Sequence, residues 1–225
     1  MVVVARRAVV TRRDLAVLTF AGEQFGLPMA TVAELLARHA AATRPLRASA
    51  AATVARRTAA RLEAGGYAER LTVAGEVWLV PTSRGLALVR EDQARPYEVW
   101  QPAAWKLEHI AAVARLRLAL ADQYPQARWE SERSIRRRWA GSGARVRYAD
   151  AGLHFPDGTA VGIECELHVK KPHLYQGIAL DQDPAWTGGV WWYCPAAQVA
   201  LLRRRLDDAG ATAHQVQALP EGVAP

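Results

Sequence analysis

Apolar positions along the chain change period several times, and each change marks an element. Leu15, Leu18, Gly22 and Phe25 recur at i, i+3, i+7 and i+10, the spacing of one helical face. Thr11 and Asp14 stand close to a capping box at its start, and Gly26-Leu27-Pro28 ends it. Thr31, with Glu34 three residues on, opens a second helix, TVAELLARHAA, and Arg44-Pro45 marks the loop after it. A third helix runs from about Ser49 to Ala64 and stops at Gly65-Gly66. The period then falls to two: Tyr67 to Leu71 and Val77 to Val80 read as a small hairpin with Gly75 near its turn. Thr82 caps a further helix.

Three helices followed by a two-stranded hairpin is the order of a winged helix-turn-helix, in which the third helix enters the DNA major groove. Arg56, Arg57, Thr58 and Arg61 on that helix are the expected DNA-facing residues. A stretch of mixed charge with two prolines and no period, EDQARPYEVWQP, reads as a linker. The expected organisation is therefore a DNA-binding domain over 1–90, a linker over 91–104 and a second domain over 105–225.

In the second domain, His109, Val113, Leu116 and Leu120 share a helical face over 105–122. Residues 127–140 alternate as a strand, with Trp129, Ser131, Arg133 and Ile135 on one side and Glu130, Glu132 and Ser134 on the other; Gly141-Ser142-Gly143 ends it. A hairpin, a helix from about Pro172, an apolar strand over 189–194, a helix over 196–209 and a last strand over 214–219 complete an α/β (α+β) domain with a mixed sheet.

Charge adds a direction. The net charge is +7, and almost all of the basic side is arginine, since Lys106, Lys170 and Lys171 are the only lysines. Such a balance favours a polyanionic partner, nucleic acid first. Cys165 and Cys194 fall in apolar runs and read as buried free thiols. No apolar run approaches the ~20 residues of a membrane span, and the N-terminal stretch is too interrupted for a signal peptide, so the expectation is a soluble, cytoplasmic chain with no membrane partner.

The candidate chemistry lies in the hairpin of 147–171. Glu164 and Glu166 are two apart and share one strand face, with Val161, Ile163, Cys165 and Leu167 on the other. Pro156-Asp157 upstream resembles the PD-(D/E)xK nuclease pattern. A three-residue Pro-Asp-Gly loop puts Asp157 at the tip, ~20 Å from Glu164 at the rise of a strand. It also sets Phe155 opposite Thr159, Leu153 opposite Val161, Ala151 opposite Ile163 and Asp150 opposite Glu164. Asp150, not Asp157, is thus the aspartate of a candidate Mg²⁺ or Mn²⁺ site with Glu164 and Glu166. Lys170, further along that face, is the candidate for stabilising negative charge in a cleaved phosphodiester. The competing reading is a solvated face on which the glutamates pair with Lys170, Arg136 or Arg138.

The winged helix, the helix carrying His109, the W-x-S-E-R of 129–133, A-D-A-G-L and the G-I-E-C-E-L-H-V-K run together resemble the replication-relaxation family of actinobacterial plasmids and integrative elements. The likeness spans about Arg13 to Cys194. It implies a winged helix joined to a restriction-endonuclease-like domain, double-stranded DNA as partner, and a role in plasmid replication, relaxation or mobilisation. A homodimer and plasmid replication or transfer proteins are the further partners on this reading. By position, Asp150, Glu164, Glu166 and Lys170 take the nuclease-like site, with Glu132 and His109 as neighbours. Ala149 stands where the pattern prefers Pro, and Glu166 where it prefers Lys. The alternative is a winged-helix regulator whose second domain is inactive and serves dimerisation or sensing.

Overall fold

The computed structural model describes residues 10–41, 47–89, 97–99, 103–140, 147–180 and 183–223. The Arg44-Pro45 loop, Gly141-Ser142-Gly143 and most of the 91–104 linker lie outside them. The chain divides into two compact units, Met1–Ala111 and Ala112–Pro225. Among the described residues, eight α-helices and two sheets make a mixed α/β chain. No helix among them is long and apolar enough to cross a membrane.

The first unit starts with α1 (Arg12–Glu23), and its capping box is complete: the Thr11 hydroxyl accepts from Asp14 N, and the Asp14 carboxylate accepts from Thr11 N. β1 (Leu27–Pro28) then pairs antiparallel with Leu79 and Trp78. Two residues are too few to show a period, and they read from sequence only as the end of a helix. Because the chain leaves β1 straight into α2 (Met29–Ala41), that helix starts before Thr31, which is buried in its first turn and does not cap it. α3 (Ala48–Ala64) ends at Gly65, with Gly66 in the left-handed region at φ +69°.

β2 (Ala68–Val73) and β3 (Glu76–Pro81) form the hairpin, giving a three-stranded sheet in the order β1-β3-β2. Thr82 caps α4 (Ser83–Leu88), its hydroxyl accepting from Gly85 N at 3.2 Å. The first part of α5 (Ala104–Gln123) lays Leu107, Ile110 and Ala111 on Trp78 and Val80 of β3.

The second unit is a five-stranded sheet in the order β4-β5-β6-β7-β8. β4 (Arg128–Ser131), β5 (Ala151–His154) and β6 (Ala160–Cys165) run antiparallel, while β7 (Val190–Cys194) and β8 (His214–Ala218) continue parallel to β6. Helices cover both faces. On one, Ala112, Val113, Leu116 and Leu120 of α5 meet Ala151, Leu153, Val161, Ile163, Cys165 and Leu167. On the other, α6 (Glu132–Trp139) supplies Ile135, α7 (His173–Leu180) Tyr175, and α8 (Val199–Asp208) Leu202 and Leu206, against Ala160, Val190, Trp192 and Cys194. Cys165 and Cys194 are buried free thiols on these two separate cores.

The long strand expected over 127–140 is a correction. Only four residues are strand, and α6 follows. Ser131 caps the helix by accepting from Ser134 N at 3.3 Å, Glu132 lies in its first turn and Arg136, Arg137 and Arg138 in its last. Those charges suit the helix dipole at both ends, which an alternation count does not register.

Candidate functional site

The hairpin register sets Ala151 opposite Ile163 and Leu153 opposite Val161, as expected, with Gly152 opposite Gly162 and His154 opposite Ala160 between and beyond them; the paired residues end at Ala151 and Ile163, one short of Asp150 and Glu164. Gly158 takes φ +88° at the end of the loop, and Phe155 N donates to Thr159 O at 2.8 Å. Asp157 is used by the turn itself. Its Oδ1 accepts from Thr159 N at 2.8 Å, a bond that holds its carboxyl below the usual range.

At the other end of the hairpin, Asp150, Glu164 and Glu166 come together where β6 ends. Asp150 Oδ2 accepts from Cys165 N at 2.8 Å, which ties the aspartate to the strand carrying the glutamates. Glu164 and Glu166 are only 8% and 6% exposed, because α7, α8 and Trp186 cover their face of the sheet. The solvated-face reading therefore fails. Its pairing half holds for one residue: Lys170 Nζ is ion-paired with Glu166 Oε2. Arg136 and Arg138 are engaged elsewhere.

Burial pushes the Glu164 carboxyl up to about 8, and the neighbouring Asp150 charge adds to the rise. Arg147, whose Nε lies 3.5 Å from Glu164 Oε1, and Lys170 pull the other way without winning. Tyr175, fully buried, accepts from Lys170 N at 2.9 Å through its hydroxyl oxygen; burial first, then the Glu166 charge, push its phenol up to about 12. Lys170 is not on the strand, which stops at Cys165; the chain bends at Leu167-His168 and brings the lysine back to Glu166.

Among the described residues, no group of three or more His, Cys, Asp and Glu side chains stands arranged to hold a metal ion. What the cluster offers is an Asp150 charge that acts on Glu164, beside a Glu166 held by Lys170.

The two auxiliary residues stand differently. The Glu132 carboxylate is taken by Arg136, whose Nε lies 2.7 Å away one turn on in α6. His109 is half-buried and belongs to the first unit.

A second polar group on the same sheet face was not expected. His154 Nε2 lies 2.8 Å from Glu130 Oε2, and Arg138 Nη2 bridges Glu130 at 3.3 Å to the buried Asp183 at 3.1 Å. Trp139 Nε1 donates to Asp183 at 2.8 Å. Beside them the Trp186 indole lies on Gly152 and Gly162, where an added Cβ would come within 2.5 Å and 2.9 Å of the ring. Arg138 sits 5.4 Å over the same ring. The paired glycines carried the signal, since two facing glycines in a hairpin leave room for a ring. Arg147 and Tyr175 carried none.

In the first unit, α3 turns Ser49, Arg56, Arg57, Ala60 and Ala64 outward. Thr58 is 1% exposed and faces inward. Arg61 forms a two-pronged ion pair with the buried Asp14, Nε to Oδ2 at 3.0 Å and Nη2 to Oδ1. Both depart from the expected outward set, because Ala51, Ala55, Thr58, Ala59 and Leu62 form the buried stripe and Arg61 borders it. Burial alone would raise the Asp14 carboxyl, but bonds from Arg61 and Thr11 outweigh it and hold the group below its ordinary 3.8.

Asp14→Ala is expected to cost about 2 kcal/mol at pH 7, since it removes the carboxylate half of the capping box and leaves Arg61 without its anion. A carboxyl with a depressed folded-state pKa adds stability above its unfolded value and loses it as pH falls through the folded one. The gap between variant and wild type in urea unfolding should therefore narrow below pH 3.8. An equal gap at pH 7 and pH 3 would show that the ionised form is not what matters.

No family model matches the sequence, and comparison with curated proteins and with solved structures gave no match.

Proposed function

We propose that this protein binds duplex DNA through a winged helix in its first unit and nicks DNA at the Asp150–Glu164–Glu166 cluster in its second. In this reading it is an accessory protein of a plasmid or mobile element, of the replication-relaxation kind, acting in replication, relaxation or mobilisation. The observation that carries it is the exposed face of α3. Arg56 and Arg57 stand there among Ser49, Ala60 and Ala64, small side chains that let a helix approach the floor of a groove. The order α1-β1-α2-α3-β2-β3 and the short strand that completes a three-stranded sheet support the same reading.

In donor chemistry, three carboxylates are the ligands a hard divalent cation takes, although they do not stand arranged around one here. Glu164 retains a proton to about pH 8 because its burial and the Asp150 charge are not balanced by the bases nearby. Asp150, Glu164 and Glu166 would hold Mg²⁺ or Mn²⁺ through oxygen, and the ion would supply Lewis-acid polarisation of the phosphodiester. Lys170 presents its ammonium beside Glu166, where it offsets negative charge on an attacked phosphate. Arg147 does the same beside Glu164.

A second reading has one observation in its favour. Glu166 is ion-paired with Lys170, whose own N–H is held by the Tyr175 hydroxyl, as in a site that serves structure alone. The protein is then a DNA-binding regulator whose second unit is inactive, and wild type shows no nicking with either metal.

DNA binding is tested by fluorescence anisotropy on duplex DNA over a range of salt. The Arg56→Ala, Arg57→Ala double variant should bind about tenfold or more weakly, and its salt slope should fall by roughly 2, one for each phosphate that is no longer neutralised. Unchanged affinity would remove α3 from the interface.

A further inference from the structure

β7 ends at Cys194 and is followed by Pro195, which has no N–H with which to continue a ladder, and the last backbone bond beside the site is Glu166 N to Tyr193 O at 2.8 Å. The chain beyond Glu166 therefore needs other partners if Lys170 is to be held in one place. Gln198 supplies them. Its Oε1 accepts from Val169 N at 3.2 Å and its Nε2 donates to Leu167 O at 3.3 Å, so one side-chain amide grips the bend on both sides of His168. The next amide along, Lys170 N, donates to the Tyr175 hydroxyl. Gln198 is itself fixed at the end of a short 3-10 turn (Ala196–Gln198), where its N–H donates to Pro195 O at 2.8 Å.

We propose that Gln198 is a positioning residue of the candidate site: its amide replaces the missing ladder and, with the Tyr175 hydroxyl, sets Lys170 against Glu166. The geometry makes this independent of any direct contact with a reacting group. The bend 167–169 is where β6 leaves the sheet, and without the amide its backbone would turn to water. Lys170 would then lose its fixed origin while Asp150 and Glu164, anchored by the sheet, kept theirs. The functional half of the inference rests on the nicking reading; the structural half does not.

The chain's three lysines make a direct test. Competitive acetylation with mass-spectrometric readout compares Lys170 with Lys171 and Lys106 in the same molecule. In wild type, Lys170 should be protected by Glu166. In Gln198→Ala its labelling should rise about fivefold, the upper range for an ion pair partly open to solvent, with Lys106 unchanged. Gln198→Glu keeps Oε1 and loses the Nε2 donor, so its Lys170 labelling should fall between the two. Tyr175→Phe should raise it as well.

A second arm measures nicking of supercoiled DNA with Mn²⁺. Gln198→Ala should lower kcat about tenfold with unchanged DNA affinity, and Gln198→Glu should recover part of it. Unaltered Lys170 labelling in both Gln198 variants overturns the proposal; where wild type nicks, altered labelling with an unaltered kcat in the variants overturns its functional half. Altered labelling in a protein that never nicks upholds the clasp and removes the nuclease reading instead.

Discussion

At pH 8.5 in EDTA, a Glu164→Gln variant is expected to melt above the wild type, and in Mn²⁺ it is expected to lack the proposed DNA nicking. The thermal gain follows from the cost of burying a carboxylate. Burial first, and the Asp150 charge second, lift the Glu164 carboxyl from an ordinary 4.5 to about 8. A raised folded-state pKa means that the folded chain holds a proton the unfolded chain has released. Stability is then whole below 4.5 and drains away as pH rises through about 8.

Glutamine keeps the shape and removes the titration. The Arg147 side chain, one-third exposed, recovers water for what it loses. The gain should be roughly 5 °C at pH 8.5 and should vanish near pH 4. Equal melting shifts at both pH values would refute the titration argument. The nicking loss, about 10³-fold or more, follows from removing one of the proposed oxygen ligands. Full activity in the variant would take Glu164 out of the site while leaving the thermal result standing.

Gly85→Ala should do more damage to the first unit than any exchange on its surface. A Cβ at Gly85 would overlap the carbonyl oxygen of Tyr67 and come within 3.3 Å of Leu18 Cδ2. The carbonyl has nowhere to go, because it accepts from Thr82 N at 3.0 Å. Thr82 in turn donates its hydroxyl to Gly66 O at 2.7 Å and accepts from Gly85 N, so the start of α4 and the corner after α3 are one hydrogen-bonded knot. Opening it should cost roughly 3–5 kcal/mol in urea unfolding, and the proposed duplex binding should weaken with it. A loss under about 1 kcal/mol would mean that the corner can shift, contrary to its bonding.

Where a local rule acts alone, the sequence is sufficient. Thr11 and Asp14 read as a capping box, Thr82 as a cap and Pro156-Asp157-Gly158 as a three-residue loop, and each is a local choice settled within a few residues. The loop then carries the hairpin register and moves the candidate aspartate from Asp157 to Asp150 with no further information. Distant partners are illegible. Arg61 looks like a groove-facing arginine because nothing local shows that Asp14, 47 residues earlier, receives it. Arg136 and Arg138 look like partners for the glutamates because α6 alternates like a strand. Gln198 and Tyr175 reach the site from two later helical segments, through a crossover topology that no periodicity encodes.

The indole of Trp186 on its two glycines has a consequence for how the second unit finishes folding. Gly152 and Gly162 face each other only in the native pairing. A hairpin slipped by one residue would set a side chain from a neighbouring position under the ring, and the 183–189 segment could not close. The tryptophan thus works as a gauge of alignment: it seats only on a correctly paired hairpin, and its burial, followed by fluorescence during refolding, should mark the moment at which misaligned chains have been left behind.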